Sequence, residues 1–87
     1  MKIKLFGGLR QQAGGAVRDG SGKTIREALE SICADNDSLR VAIFDGNTLR
    51  PHMRVMLNGH DSELAQGLDT PVAADDQIAI FPPLAGG

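Results

Sequence analysis

The 87 residues suffice for one domain, near the lower end of what folds unaided, and the 41 % apolar content with no Trp or Tyr calls for one modest aliphatic core. A net charge of −2, with nine Lys and Arg scattered singly, argues against nucleic acid as a partner. No apolar run approaches the roughly 20 residues that span a bilayer, and charges interrupt the N-terminus too often for a signal peptide, so no membrane partner is expected.

Lys2 to Phe6 alternates polar and apolar at period two, the pattern of a half-buried first strand that Gly7-Gly8 ends. Leu9 to Ala13 fits one short helical turn before Gly14-Gly15, and Ala16-Val17-Arg18 is the best second strand. Thr24 opens the clearest helix. With Glu27 three residues later it forms a capping box, and Ile25, Ala28, Leu29 and Ile32 follow as one apolar stripe. The helix is expected to fade by Ala34 or Asp35. Asp37-Ser38 would cap a second short helix carrying Leu39, Ala42 and Ile43, and Gly46-Asn47 reads as a turn. Arg54 to Leu57 is a third strand, and Asn58-Gly59 after it signals a hairpin with a brief polar return through His60 and Asp61. Gly67 to Pro71 reads as a turn or a single 3₁₀ turn. Gln77 to Phe81 is the last strand, stopped by Pro82-Pro83, whose nitrogens cannot donate to a ladder. One long helix over a few strands makes an α+β roll of two layers.

The interior offers little chemistry. Gly20-Ser21-Gly22-Lys23-Thr24 ends Gly-Lys-Thr before a helix but lacks the upstream glycine of a phosphate-binding loop, so a flexible loop feeding a capped helix explains it better. His52 and His60 flank a strand without ligand spacing and read as solvated edge histidines, so no metal site is assigned. Cys33, the single cysteine, permits no internal disulfide and is most simply a small core residue. A cytoplasmic location is the default for such a chain. Asp75-Asp76 precedes a strand and reads as a turn. No internal residue is assigned a catalytic role, so the chain is expected not to be an enzyme.

The last residues carry more. A strand, a Pro82-Pro83 stem, two small apolar residues and then Gly86-Gly87 reach roughly 20 Å from the domain if drawn straight. Prolines favour an extended polyproline exit, and glycines let the backbone thread a narrow channel. On these grounds alone a working tail and a frayed terminus remain open alternatives.

The ending Ile78-Ala79-Ile80-Phe81-Pro82-Pro83-Leu84-Ala85-Gly86-Gly87 resembles that of the MoaD/ThiS sulfur carriers, β-grasp cousins of ubiquitin that include the molybdopterin-synthase small subunit. Lys4 to Arg10 with Ala13-Gly14 is similar to that family's start. Leu49 to His52, Val55 to Gly59 and Gly67 to Pro71 resemble one branch, that of cysteine-biosynthesis sulfur carriers and small archaeal modifiers. The segment between helix and third strand is longer than in the most compact molybdopterin-synthase subunits, which favours that broader branch.

The resemblance implies a ubiquitin-like β-grasp roll over residues 1–83, a mixed sheet with one main helix packed across it, and a flexible tail over 84–87. The second strand is short and polar, so irregular pairing is expected there. The resemblance also implies that an E1-like enzyme adenylates Gly87 at the expense of ATP, with no cofactor bound to the carrier itself. A sulfur donor then yields a thiocarboxylate, which supplies sulfide to an acceptor synthase subunit in molybdopterin, cysteine or related biosynthesis. Gly86 would supply the threading, and a chain ending at Gly87 would need no processing protease. In the modifier members the activated glycine instead joins lysines of target proteins. Phe6 and Phe81 correspond to apolar residues with which relatives dock the E1-like enzyme, and Pro82, Pro83, Leu84 and Ala85 would complete the partner-binding segment. Strand parity places Ile78 and Ile80 on the helix side and Phe81 outward, with an edge of the core as the alternative for Phe81. Three readings follow: a sulfur carrier first, a protein modifier second, a non-catalytic interaction module third. Only three lysines (Lys2, Lys4 and Lys23) are present, which leans against a polymeric tag.

Overall fold

The computed structural model describes residues 1–83, so the expectations placed on Leu84, Ala85, Gly86 and Gly87 lie outside the described residues. Strand β1 (Lys2–Leu5), helix α1 (Gly8–Ala13) and strand β2 (Val17–Asp19) lead into the main helix α2 (Ile25–Cys33). Helix α3 (Asp37–Ile43) and the two-residue strands β3 (Phe44–Asp45) and β4 (Thr48–Leu49) follow. Strand β5 (Arg54–Leu57), strand β6 (His60–Asp61), two 3₁₀ turns (Ser62–Leu64 and Gly67–Asp69) and strand β7 (Gln77–Phe81) complete the order.

Five strands form one mixed sheet in the order β2-β1-β7-β5-β6. Its centre is the parallel pair β1 and β7, in register from Lys2 with Gln77 to Leu5 with Ile80. The other pairings are antiparallel. This is a β-grasp roll, with α2 crossing one face. The period-two alternation of the strands explains the layering. Ile3, Leu5, Val55, Ile78 and Ile80 are all buried on the helix side, where they meet Ile25, Ala28, Leu29, Ile32 and Cys33 of α2. Each large aliphatic side chain taken from water there contributes about 1.5–3 kcal/mol.

Local chemistry sets the boundaries. Thr24 caps α2 by accepting from the Glu27 N–H at 3.2 Å. The Glu27 carboxylate reaches back one residue further than the capping box predicts, accepting from the Lys23 N–H at 2.9 Å. The Gly20-Ser21-Gly22 loop lies against α2. A Cβ on Gly22, whose φ is +143°, would come within 2.5 Å of the Glu27 Cβ. Close approach to a helix therefore accounts for a glycine in this run, with no phosphate required.

Two expectations need correction, and two elements lay outside the sequence reading. The second strand begins at Val17 rather than Ala16, and its pairing with β1 is regular over three residues, with Lys2 and Asp19 facing each other as an ion pair at 2.9 Å. Asn36, not Asp37 or Ser38, caps α3: its Oδ1 accepts from the Leu39 N–H, and its amide donates to the Gln12 carbonyl. The Gly46-Asn47 turn closes a small hairpin of β3 and β4, too short to leave a period-two trace in the sequence. The 3₁₀ turn at Ser62–Leu64 also went unanticipated; Asp61 caps it by accepting from the Glu63 N–H.

Candidate functional site

The sheet face turned away from α2 is built from the residues that alternate with the core. Lys4 and Phe6 stand beside Ala79 and Phe81, and Phe81 is directly opposite Arg54 while Ala79 is opposite Met56. The Phe6 N–H donates to the Ile80 carbonyl at 3.2 Å, extending the β1–β7 pairing one residue beyond the strand. The two phenyl rings thereby stack, with centroids 4.3 Å apart and planes at 15°. Each is between one third and two fifths exposed, 38 % for Phe6 and 37 % for Phe81.

The stack edges a shallow concavity of about 860 Å³ whose lining includes Met56 and Ala79. Leu64, from the 3₁₀ turn after β6, is 88 % exposed on its border. Lys4 and Arg54 supply the charge. The Arg54 guanidinium donates to Asp61 at 2.7 Å, and the other oxygen of Asp61 is held by the Glu63 N–H at 3.0 Å. An apolar centre with a polar rim is the composition of a protein-binding patch.

Pro82 and Pro83 continue from β7 at the same end of the sheet. They line a second groove of about 380 Å³ with Leu9 and Gln12 of α1, Ala42 of α3, and Arg50, Pro51 and Met53 before β5. The structure thus brings Phe6, Phe81, Pro82 and Pro83 to one end of the molecule. Gly86, Gly87, Leu84 and Ala85 fall beyond the described residues.

The other candidates stand apart. His52 and His60 are exposed, and among the described residues no group of three His, Cys, Asp or Glu could hold a metal ion. No helix among them is long and apolar enough to cross a membrane. Cys33, the last residue of α2, is fully buried; burial pushes its thiol up, partly offset by the Arg40 guanidinium, with Glu30 adding to the rise. Asp76 closes the turn before β7. Its carboxylate accepts from the Asn58 amide at 3.0 Å and the Ala73 N–H at 2.7 Å, which together hold it below the usual range for Asp.

Sequence reasoning missed Lys4, Met56, Arg54 and Leu64 as neighbours of the phenyl rings. Parity carried part of the signal, since Arg54 and Met56 alternate with the buried Val55. The position of Leu64 depends on the 3₁₀ turn, which no periodicity announces.

The ThiS family matches residues 3–87. The chain belongs to the ThiS family. Small archaeal modifier protein 1 of Haloferax volcanii is 35 % identical over 92 residues that take in the whole of both chains. A protein of Archaeoglobus fulgidus named as a sulfur carrier is 30 % identical over 89 residues, covering 100 % of this chain and 98 % of its own. The solution structure of small archaeal modifier protein 1 from Methanosarcina acetivorans superposes with a TM-score of 0.87 at 30 % identity, over 99 % of this chain and 94 % of that one. ThiS-family relatives of this chain are therefore small carriers and ubiquitin-like modifiers built on the same β-grasp roll.

Proposed function

We propose that this ThiS-family protein is a cytoplasmic sulfur carrier, without catalytic residues of its own, whose Gly87 is the group that is activated. The observation that carries the reading is the path of β7. This central strand delivers the chain to Pro82-Pro83 beside a half-exposed aromatic pair. A partner gripping that pair would have the stem directly in front of it.

The chemistry runs in two displacements. The Gly87 carboxylate attacks the α-phosphorus of ATP in an E1-like partner; an acyl–phosphate bond forms and pyrophosphate leaves. Sulfide, supplied by a sulfur donor, then attacks the acyl carbon and AMP departs as the acyl–oxygen bond breaks, leaving a terminal thiocarboxylate. The thiocarboxylate gives up that sulfur to an acceptor synthase subunit, or, in the second reading, the activated glycine is taken by a lysine of a target protein. The names of the relatives support both readings, one being named for sulfur carriage and others for modification. Both need the same first step.

In this reading Phe6 and Phe81 are the docking anchors, Met56 and Leu64 widen the apolar contact, and Lys4 and Arg54 select against a basic partner surface. Pro82, Pro83, Leu84 and Ala85 line the partner's channel, and Gly86 lets the chain thread it. The carrier itself holds no cofactor, and ATP is consumed by the partner.

Intact-mass spectrometry after incubation with ATP, the cognate E1-like enzyme and a sulfur source tests the proposal. Replacement of one oxygen by sulfur, absent from protein lacking Gly86-Gly87, is the expected result. An unchanged mass beside new lysine-linked conjugates would select the modifier. Neither product, with the enzyme shown active on another carrier, would leave an interaction module.

A further inference from the structure

Two backbone segments meet where the chain leaves the sheet, and one of them lacks a side chain. Gly7 follows Phe6 with φ 60° and ψ −141°, a conformation that L side chains rarely adopt. Its carbonyl accepts from the Arg10 N–H at 3.2 Å, and the Phe6 carbonyl accepts from Leu9 at 3.3 Å, so the turn is tied into the start of α1. Above it lies Pro82. A Cβ on Gly7 would stand 2.9 Å from the Pro82 Cγ and 3.5 Å from its Cδ. The first distance is shorter than a carbon–carbon contact tolerates, so the proline ring rests on the bare Cα.

That contact matters because Pro82 has no N–H. The ladder that fixes β7 stops at Phe81, and neither Pro82 nor Pro83 has an N–H to continue it. Gly7 forms the floor under the first stem residue, while Pro82 and Pro83 face the groove they line with α1, Pro51 and Met53.

We infer that Gly7 is a positioning residue: a seat for Pro82 that fixes the angle at which the stem leaves the domain. The functional consequence rests on the carrier reading above. Six residues from Pro82 span roughly 20 Å when drawn straight into a channel, so a tilt of about 10° at the seat moves the far end by roughly 3–4 Å. A misplacement of about 1 Å at a reacting centre costs on the order of 100-fold in rate. A displaced seat therefore acts on the reaction step, while the phenyl stack, on the other face, still recruits the partner.

Gly14 provides the control. It too has a positive φ, 76°, yet a Cβ there meets no atom within 4 Å. Gly14→Ala carries a positive-φ strain, the milder one of the left-handed helical region, without touching the stem; Gly7→Ala carries strain in a region that only glycine populates and also strikes Pro82. Pro82→Ala removes the Cγ and Cδ that Gly7→Ala would strike.

The test measures ATP–pyrophosphate exchange by the cognate E1-like enzyme, with kcat and the KM for carrier taken separately, on five proteins: unsubstituted, Gly7→Ala, Gly14→Ala, Pro82→Ala and the double Gly7→Ala/Pro82→Ala. Gly7→Ala is expected to lower kcat at least tenfold with KM within about twofold. Gly14→Ala is expected to lose thermal stability but keep both constants. The double variant should match the kcat of Pro82→Ala alone to within about twofold and lose only stability, because the clash is gone while the strain at residue 7 remains. A folded Gly7→Ala with the kcat of Gly14→Ala would overturn the seat, as would effects of the two substitutions that simply multiply. If Gly7→Ala does not fold, Pro82→Ala decides from the other side, and an unaltered kcat there overturns the proposal. Nuclear Overhauser contacts between the Gly7 α-protons and the Pro82 ring are read without any enzyme. Their presence in the unsubstituted protein is expected and their absence refutes the seat, even if the enzyme activates no variant and the carrier reading itself falls.

Discussion

Phe6 and Phe81 lie ring on ring, 4.3 Å between centroids, at the one end of the sheet where both the β1–α1 turn and the β7 stem emerge. The pair is worth about 0.5–1.5 kcal/mol beyond its buried area, yet each ring keeps more than a third of its surface in water. Packing alone therefore does not account for two phenylalanines here. Phe81→Ala is expected to lower stability by about 1–2 kcal/mol and raise the carrier KM of the activating enzyme at least tenfold, with kcat little changed. Steady-state exchange kinetics beside calorimetry would check it; an unmoved KM would take the stack out of the interface.

Thr24 caps the one helix that spans the sheet. Thr24→Ala leaves the Glu27 N–H without its acceptor and should cost about 1 kcal/mol, or about 4–8 °C in Tm for a domain of this size. Thr24→Ser should retain most of the loss. Because this cap is remote from the stem, activation rates at a temperature where both proteins are folded should not differ.

Much of this was legible in the sequence, and the division is instructive. The last strand was predicted at Gln77 to Phe81 and the third at Arg54 to Leu57, and both stand so, because alternation over four or five residues fixes face and extent together. The capped stripe from Ile25 to Ile32 was equally plain. What escaped were contacts made across long loops. The stacking of Phe6 on Phe81 needs the parallel register of β1 and β7, which no local pattern states. The meeting of Gly7 with Pro82 needs the same register plus a left-handed turn. Leu64 reaches the outer face only because Asp61 caps the 3₁₀ turn that carries it.

Acid should act through Asp76. The Asn58 amide, and then the Ala73 N–H, hold its carboxyl below its unfolded value, so the stabilisation is complete above the unfolded pKa and is lost as pH falls through the folded one. Asp76→Asn is therefore expected to lower Tm near pH 7 and to flatten the decline of Tm below about pH 4. Asp19 moves in the same direction through its bond to Lys2, but that pair is solvent-exposed and adds little. Thermal melts from pH 2 to 7 would show parallel declines if Asp76 had no part.

Cys33 should be silent while the fold is intact. It is fully buried and its thiol is pushed up, so a maleimide should label it only as fast as the core opens. Labelling that accelerates steeply through the denaturant midpoint is the expected result; prompt labelling of folded protein would contradict the packing of α2. The same burial keeps a nucleophile out of reach of any activated acyl group on a neighbouring carrier.

The place of β7 has a mechanical consequence. An enzyme that draws the stem into a channel pulls on the strand behind it, and that strand is flanked on both sides, by β1 running parallel and β5 running opposite. Tension along β7 loads both ladders in shear, all their bonds at once, rather than peeling an edge one bond at a time. If the carrier reading holds, a domain that hands over its end again and again would be anchored at the strand least able to unravel.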